Sequence, residues 1–417
     1  MKKDDALKMD DNDKLSHLKK EFLYDNENER KRIYFCGNSL GLQHNSVKEK
    51  ITSHLDQWKN LAVENHFAGD YPWMDIQDKI KNKLKYLLGC SEDEIAIMNS
   101  LSVNLHLMMA TFYRPSKSKH KILIEDNAFS SDRYVVNSQL KFHGFDESSL
   151  ITILPGEDSL IDEDKIISEI KKNKDSLSLV LLPGIQYYSG QVIDLKKISE
   201  VCRENKITLG LDLAHMIGNV AINLASYDAD FASWCSYKYL NSGPGGISGI
   251  YVNSKHLKND LFRLEGWWGN KLYSRFDMLD KYDPEPSAEG WVLSNPPVIL
   301  MDIHLASLEV FTNAGLDNVF KKSKMLSDFL FDGLSSIDNF SNFFNIITPR
   351  NTNNRGSQIS LFFKKNSKDF FNELSKKFVV DYRKPDVIRV APVPLYNSFY
   401  EVYLFVSEIE RLIKVYD

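Results

Sequence analysis

Between residues 95 and 252 short apolar runs alternate with amphipathic stretches of helical spacing, and this alternation constrains the fold most. Ile95–Met98, Lys121–Glu125, Leu177–Leu182, Ile207–Leu211, Phe231–Trp234 and Ile247–Val252 read as strands, and Leu101–Phe112 as the helix after the first of them. Asp194 stands where a helix cap is expected, ahead of Leu195, Ile198, Val201 and Cys202, which share one face. Strands alternating with helices build a mostly parallel sheet covered on both faces. Ligands in such sheets sit at the carboxyl ends of the strands, where Asp212 and Pro183 are expected.

Beyond residue 300 the pattern changes. A helix is expected from Met301 to about Phe311. Strands follow at Ser357–Phe363, Phe378–Tyr382 and Val387–Val390, with a closing helix over Ser398–Tyr416. This mixture fits a smaller α+β domain. The asparagine-rich Thr348–Arg355 reads as an exposed loop, and the charged residues 1–32 as a loose or helical arm. A chain of 417 residues is expected to form two or three domains. The divisions read here are 1–62 for the arm and first helices, packing with the small domain, 63–300 for the large domain and 301–417 for the small one.

The 52 basic and 57 acidic side chains give a net charge of −5, which argues against a nucleic-acid partner. Cys36, Cys90, Cys202 and Cys235 form neither a Cys-x-x-Cys pair nor a zinc-spaced cluster, so no metal is expected and reduced thiols in the cytoplasm are. The opening MKKDDALKMDDNDKL is too charged for a signal peptide, and no apolar run is long enough to span a membrane.

The chemistry concentrates in DLAHMIGN (Asp212–Asn219) and CSYKYLNSGPGG (Cys235–Gly246). An acid at a strand end, a lysine in a Ser/Tyr-flanked turn and a glycine-rich segment behind it suit pyridoxal phosphate. That cofactor needs a lysine for its Schiff base and an acid that keeps its pyridine nitrogen protonated. An Asp or a Lys alone would be unremarkable in an α/β protein. In this order, with the glycines following, the two point to a cofactor class but not to a reaction.

Further blocks narrow the reading. YFCGNSLGL (Tyr34–Leu42), MNSLSVNLHLMM (Met98–Met109), GIQYYSGQ (Gly184–Gln191), GWWGNKLYSRF (Gly266–Phe276), LSNPP (Leu293–Pro297) and IRVAPVPLYNSF (Ile388–Phe399), with the two blocks above, resemble the kynureninase family in order from residue 34 to 399. The resemblance implies an α/β fold of type I among pyridoxal-phosphate enzymes, with a mostly parallel seven-stranded type of sheet in the large domain. It also implies a homodimer whose active sites are shared at the interface. The expected reaction is hydrolytic Cβ–Cγ cleavage of kynurenine or 3-hydroxykynurenine, releasing L-alanine and anthranilate or 3-hydroxyanthranilate, in tryptophan breakdown or NAD biosynthesis.

Carried over residue by residue, the resemblance makes Lys238 the Schiff-base lysine and the base at Cα, Asp212 the partner of the pyridine nitrogen, and His215 and Phe129 neighbours of the ring. Asp132 supports the cofactor, and Leu101, Ser102 and Tyr237 reach the phosphate, Tyr237 also moving a proton. Trp267 and Asn295 come from the partner subunit. Arg389 anchors the substrate carboxylate, its charge in an apolar run calling for a partner. His66 and Asn295 face the substrate's aromatic ring, which inclines the reading towards acceptance of 3-hydroxykynurenine. His106 and Trp268 read as structural.

Three positions depart from the pattern. Ser102 replaces a frequent threonine and keeps the hydroxyl. Pro183 replaces a hydroxyl residue near the phosphate and offers neither hydroxyl nor N–H. Asn270 stands where some relatives carry histidine. Two other readings stay open on sequence: another fold type I activity, such as a cysteine desulfurase or β-lyase, and a non-catalytic relative that binds the cofactor.

Overall fold

The computed structural model describes residues 1–24 and 32–417; the part of the expected arm at 25–31 lies outside the described residues. A seven-stranded sheet runs in the order Ile95–Ile97, Ser248–Val252, Phe231–Cys235, Thr208–Asp212, Leu177–Pro183, Lys121–Glu125, Leu150–Ile153. Ser248–Val252 is antiparallel to both its neighbours, and the other pairings are parallel. The expected fold class is therefore observed.

The sheet's strands are apolar throughout because both faces are covered. Leu209, Leu211, Ala232 and Trp234 point into one core, while Phe231, Ile250, Val252, Ile122 and Ile124 point into the other. Burying a Val, Leu, Ile or Phe side chain contributes about 1.5–3 kcal/mol, so the two layers fix the strand ends firmly. In register, Pro183 lies beside Asp212, and Asp212 beside Ser233. Glu125 ends the next strand beyond Leu177–Pro183. The carboxyl ends of four neighbouring strands thus converge on one edge of the sheet.

A second sheet has the order Phe344–Ile346, Ile359–Phe363, Val387–Val390, Asp381–Arg383. Helices Leu316–Ser335 and Phe399–Tyr416 cover it, forming a third core with Leu330, Phe363, Ile388 and Phe405. The closing helix begins with a capping box, in which Ser398 and Glu401 satisfy each other's backbone N–H groups.

Some boundaries differ from expectation. The span Phe378–Tyr382 is two short strands: Phe378–Val379 pairs with Ile33–Tyr34, and Asp381–Arg383 joins the four-stranded sheet. The helix expected over residues 301–311 extends over Val298–Ala314. The loop at Thr348–Arg355 is not uniformly exposed. Arg355 is buried, donates from Nε to Ser327 Oγ and from Nη1 to Pro349 O (2.8 Å each), and pairs with Asp328. Residues 3–11, within the charged arm, form a helix packed against Phe399–Tyr416.

His304, in helix Val298–Ala314, is completely buried, and neither ring nitrogen has a partner among the described residues. Burial lowers its pKa from 6.5 to about 3. The unfolded chain therefore binds a proton that the folded chain refuses, and stability falls as pH drops through 6.5. Between pH 7 and 5 this one group is expected to remove about 2 kcal/mol. Urea unfolding across that range should show a shallower pH slope in His304→Leu.

Candidate active site

At the converging strand ends lies a cavity of about 160 Å³. Its lining brings together Leu101, Ser102, Phe129, Asp132, Asp212, His215, Tyr237 and Lys238, all expected from the sequence, with Glu125, Pro183, Ile185 and Tyr187 beside them.

Lys238 lies three residues past the strand Phe231–Cys235, in a buried turn. Its side chain is 8% exposed, and Nζ has no ion pair or hydrogen bond among the described residues. Nζ stands 5.7 Å from the centre of the Phe129 ring. Burying an amine without a partner is costly, which suits a group reserved for a ligand. The turn is held from outside by the GNSLG segment: Gly41 N donates to Tyr237 O at 2.7 Å. A Cβ at Gly41 would lie 2.5 Å from Lys238 O, so only glycine fits there.

Asp212 ends its strand, and its Oδ1 accepts from Ala214 N at 2.7 Å. Asp132 is buried beside it; burial first, then the charge and hydrogen bonding of Asp212, push its pKa far above the usual carboxylate range. Glu125 is pushed up to about 8, again chiefly by burial, with a backbone hydrogen bond opposing the rise and Asp212 adding to it. The site therefore contains two carboxyl groups that favour the protonated form next to Asp212. Sequence reasoning passed over Glu125, although its place at the end of an expected strand was a usable signal.

His215 is buried and held neutral by desolvation, with Lys238, Arg389 and Arg383 acting in the same direction. Burial also raises the Tyr237 phenol, which stays protonated at neutral pH. Helix Leu101–Phe112 points its first turn at the cavity, and Ser102 Oγ hydrogen-bonds Ser131 Oγ. Free N–H groups and the helix dipole make such a start suitable for an anion. Pro183 lines the cavity without supplying a donor.

Arg389 is only 1% exposed and does not line the cavity. The partner its buried charge calls for is internal. Nε donates to Asp381 Oδ2 at 2.5 Å, and Nη1 donates to Tyr187 O at 2.8 Å. Tyr187 itself lines the cavity, so Arg389 stands behind that wall.

His66, Trp267 and Asn295 lie outside the cavity of their own chain. Trp267 is 39% exposed, with Nε1 donating to Arg275 O at 2.8 Å. Asn270 spends its amide on the same loop, Nδ2 donating to Trp267 O and Oδ1 accepting from Asp283 N. His106 bonds Gln139, and Trp268 is buried under the Arg275 guanidinium, so both have the structural roles expected.

A family model described as "Kynureninase C-terminal domain" matches residues 319–409. The kynureninase of Flavobacterium psychrophilum is 42% identical over 406 residues, covering 96% of this chain and 95% of its own. The chain belongs to the kynureninase family. The rat kynureninase is 41% identical over 96% of this chain and 91% of its own, so the likeness spans bacteria and animals.

Solved structures share the family's fold at lower identity. The cysteine desulfurase CsdA of Escherichia coli superposes with a TM-score of 0.77 at 14% identity, covering 96% of this chain and 98% of its own. A mutant of C-DES with glycine covalently linked to its PLP cofactor gives 0.75 at 15%, covering 91% and 96%. These likenesses establish the fold alone. The chemistry of a desulfurase does not follow: Cys235 is buried in its strand and burial raises its thiol pKa, unlike a mobile nucleophile.

The lining fits pyridoxal phosphate. It offers an amine unpaired among the described residues, a strand-end carboxylate, a helix start for the phosphate and an aromatic side chain, and one oxygen of Asp132 is buried without a partner among those residues. Removing Asp381 would leave Arg389 as an uncompensated buried charge. Asp381→Ala should therefore lose roughly 3–5 kcal/mol of stability, measured by urea unfolding, and Asp381→Asn less.

Proposed function

We propose that this protein is a pyridoxal-phosphate-dependent kynureninase that hydrolyses the Cβ–Cγ bond of L-kynurenine or 3-hydroxy-L-kynurenine. The products are L-alanine and anthranilate or 3-hydroxyanthranilate, an activity of tryptophan breakdown. The observation that carries this reading is the buried, unpaired Lys238 amine sharing one cavity with Asp212 and the start of helix Leu101–Phe112, in a chain of this family.

When bound, pyridoxal phosphate supplies an electron sink for charge developing at the substrate's Cα and Cβ. Lys238 would hold the cofactor through its Nζ, and the same amine would serve as the base at the substrate's Cα. Asp212 would keep the pyridine nitrogen protonated, with Oδ1 fixed by Ala214 N–H and Asp132 beside it as a neutral acid. Phe129 and His215 would flank the ring, and the neutral His215 adds no competing charge. The N–H groups at Leu101 and Ser102 would hold the phosphate, with the Tyr237 hydroxyl. Tyr237, protonated at neutral pH, delivers the proton that reaches Cβ. Arg389, behind Tyr187 and with its guanidinium kept in place by Asp381, is the candidate anchor for the substrate carboxylate.

His66 and Asn295 face the aromatic ring. His66 Nδ1 lies 3.0 Å from Val63 O, a group that only accepts, so the ring proton sits on Nδ1. Nε2 is then the ring atom placed to hydrogen-bond the phenol of 3-hydroxykynurenine. This supports acceptance of the hydroxylated substrate, and a large kcat/KM advantage for kynurenine would overturn it.

The working unit is a homodimer in which Trp267 and Asn295 enter the partner's site. Their exposure, and the exposed Phe67, Leu272, Tyr273 and Phe276 on nearby loops, support a covered face here. The division into 1–62, 63–300 and 301–417 is kept, with helix Val298–Ala314 as connector. Cysteines without disulfides are consistent with the cytoplasm.

Purified protein with added cofactor should show a Schiff-base absorbance that Lys238→Ala abolishes, together with stoichiometric anthranilate-type product and alanine. A band without that product would sink the assigned reaction. Tyr237→Phe should bind cofactor but lose at least tenfold in kcat. Mixing inactive Lys238→Ala with inactive Trp267→Ala should restore about a quarter of wild-type activity, because half the random dimers carry one intact shared site. No recovery would exclude shared sites.

A further inference from the structure

Two segments that face the substrate ring in the reading above, the one bearing His66 and the one bearing Asn295, are far apart in sequence, yet a line of buried and half-buried groups joins them. Asn295 lies just ahead of helix Val298–Ala314, and Asp302 is in the second turn of that helix. Asp302 Oδ2 meets His54 Nδ1 at 2.5 Å, with side-chain exposures of 13% and 5%. His54 belongs to helix Ser46–Leu61, which packs along Val298–Ala314 and leads directly into the turn Ala62–His66.

The His54 imidazole stacks on the Trp73 indole, with ring centres 5.6 Å apart and planes 13° from parallel. Trp73 also receives the His66 ring edge-on, at 4.8 Å and 75°. His66 is therefore fixed twice, by its Nδ1 hydrogen bond to Val63 O and by the indole beside it. A buried Asp–His contact is poor evidence for stability, because the cost of desolvating it offsets the attraction. It does impose geometry: an Asp–His contact of this length tolerates little sliding between the two helices.

We propose that Asp302, His54 and Trp73 are positioning residues that hold His66 and Asn295 in one register and so govern recognition of the aromatic ring. This rests on the reading of His66 and Asn295 as ring-facing. None of the three touches substrate. Aromatic selectivity thus depends on the packing of helix Ser46–Leu61 against helix Val298–Ala314.

The test is steady-state kinetics with 3-hydroxy-L-kynurenine on cofactor-loaded Asp302→Asn, His54→Ala, Trp73→Ala and Trp73→Phe, alongside His66→Ala. L-Alanine, which lacks the ring, serves as a control ligand, its binding read from the cofactor absorbance. Asp302→Asn, His54→Ala and Trp73→Ala should each raise KM about tenfold, with kcat within about twofold and L-alanine affinity unchanged. Trp73→Phe should retain most of the wild-type KM, and His66→Ala/Trp73→Ala should be no worse than His66→Ala alone. Trp73→Ala leaves no buried charge unpaired, so it answers the question even if the Asp302 and His54 variants fail to fold. A KM rise in His66→Ala alone, with Trp73→Ala like wild type, would overturn the positioning role and leave the ring assignment standing. An unchanged KM in His66→Ala would overturn the ring assignment and this proposal with it. Equal loss of L-alanine affinity would mean general loosening and would also overturn it.

Discussion

The structure is arranged around one uncompensated buried amine. Lys238 shares its cavity with three carboxyl groups, Glu125, Asp132 and Asp212, yet forms an ion pair with none of them among the described residues. Ionised groups cost several kcal/mol each to strip of water, and the site lowers that cost by letting protons stay on. Burial, with the neighbouring Asp212 acting the same way, pushes Asp132 and Glu125 up. Around this arrangement the sheet is apolar on both faces, and the lysine turn is braced by backbone contact with Gly41.

The parts that sequence made legible are those governed by local physics. Leu101–Phe112, Lys121–Glu125 and Val387–Val390 have the ends their apolar patterns foretell. Asp212 and Lys238 were visible because a strand end and a glycine-rich turn follow from composition and order. Phe378–Tyr382 was not legible as two strands, since its second half follows Val387–Val390 and its first half follows Ile33–Tyr34, distant partners that no local pattern specifies. Arg355 was misread for a similar reason: an asparagine-rich surround looks exposed until Ser327, Asp328 and Pro349 arrive from elsewhere.

The site divides in the same way. Residues at the strand ends gather in one cavity, where sheet register alone brings them together. Arg389 was found by its incongruous charge, but its pairing with Asp381 depends on a neighbouring edge strand. His66, Trp267 and Asn295 sit apart from the cavity of their own chain, and motif resemblance pointed to them before any contact did. Asn270, a departure visible in the sequence, ties its loop together, bonded on both sides of its amide.

The bracing of the lysine turn by the GNSLG segment carries a cost in time. That segment is itself held by the far end of the chain: Asn397 Nδ2 donates to Tyr34 O at 3.0 Å across 363 residues of sequence, and Cys36 bridges to Ala391. At about 5–20 residues per second on the ribosome, the first of these partners waits roughly 20–70 s for the second. Such non-local closure also slows folding. The large sheet can collapse during synthesis, but the lysine turn reaches its braced form only after most of the chain has emerged, so a nascent chain presents the cofactor with an unfinished site.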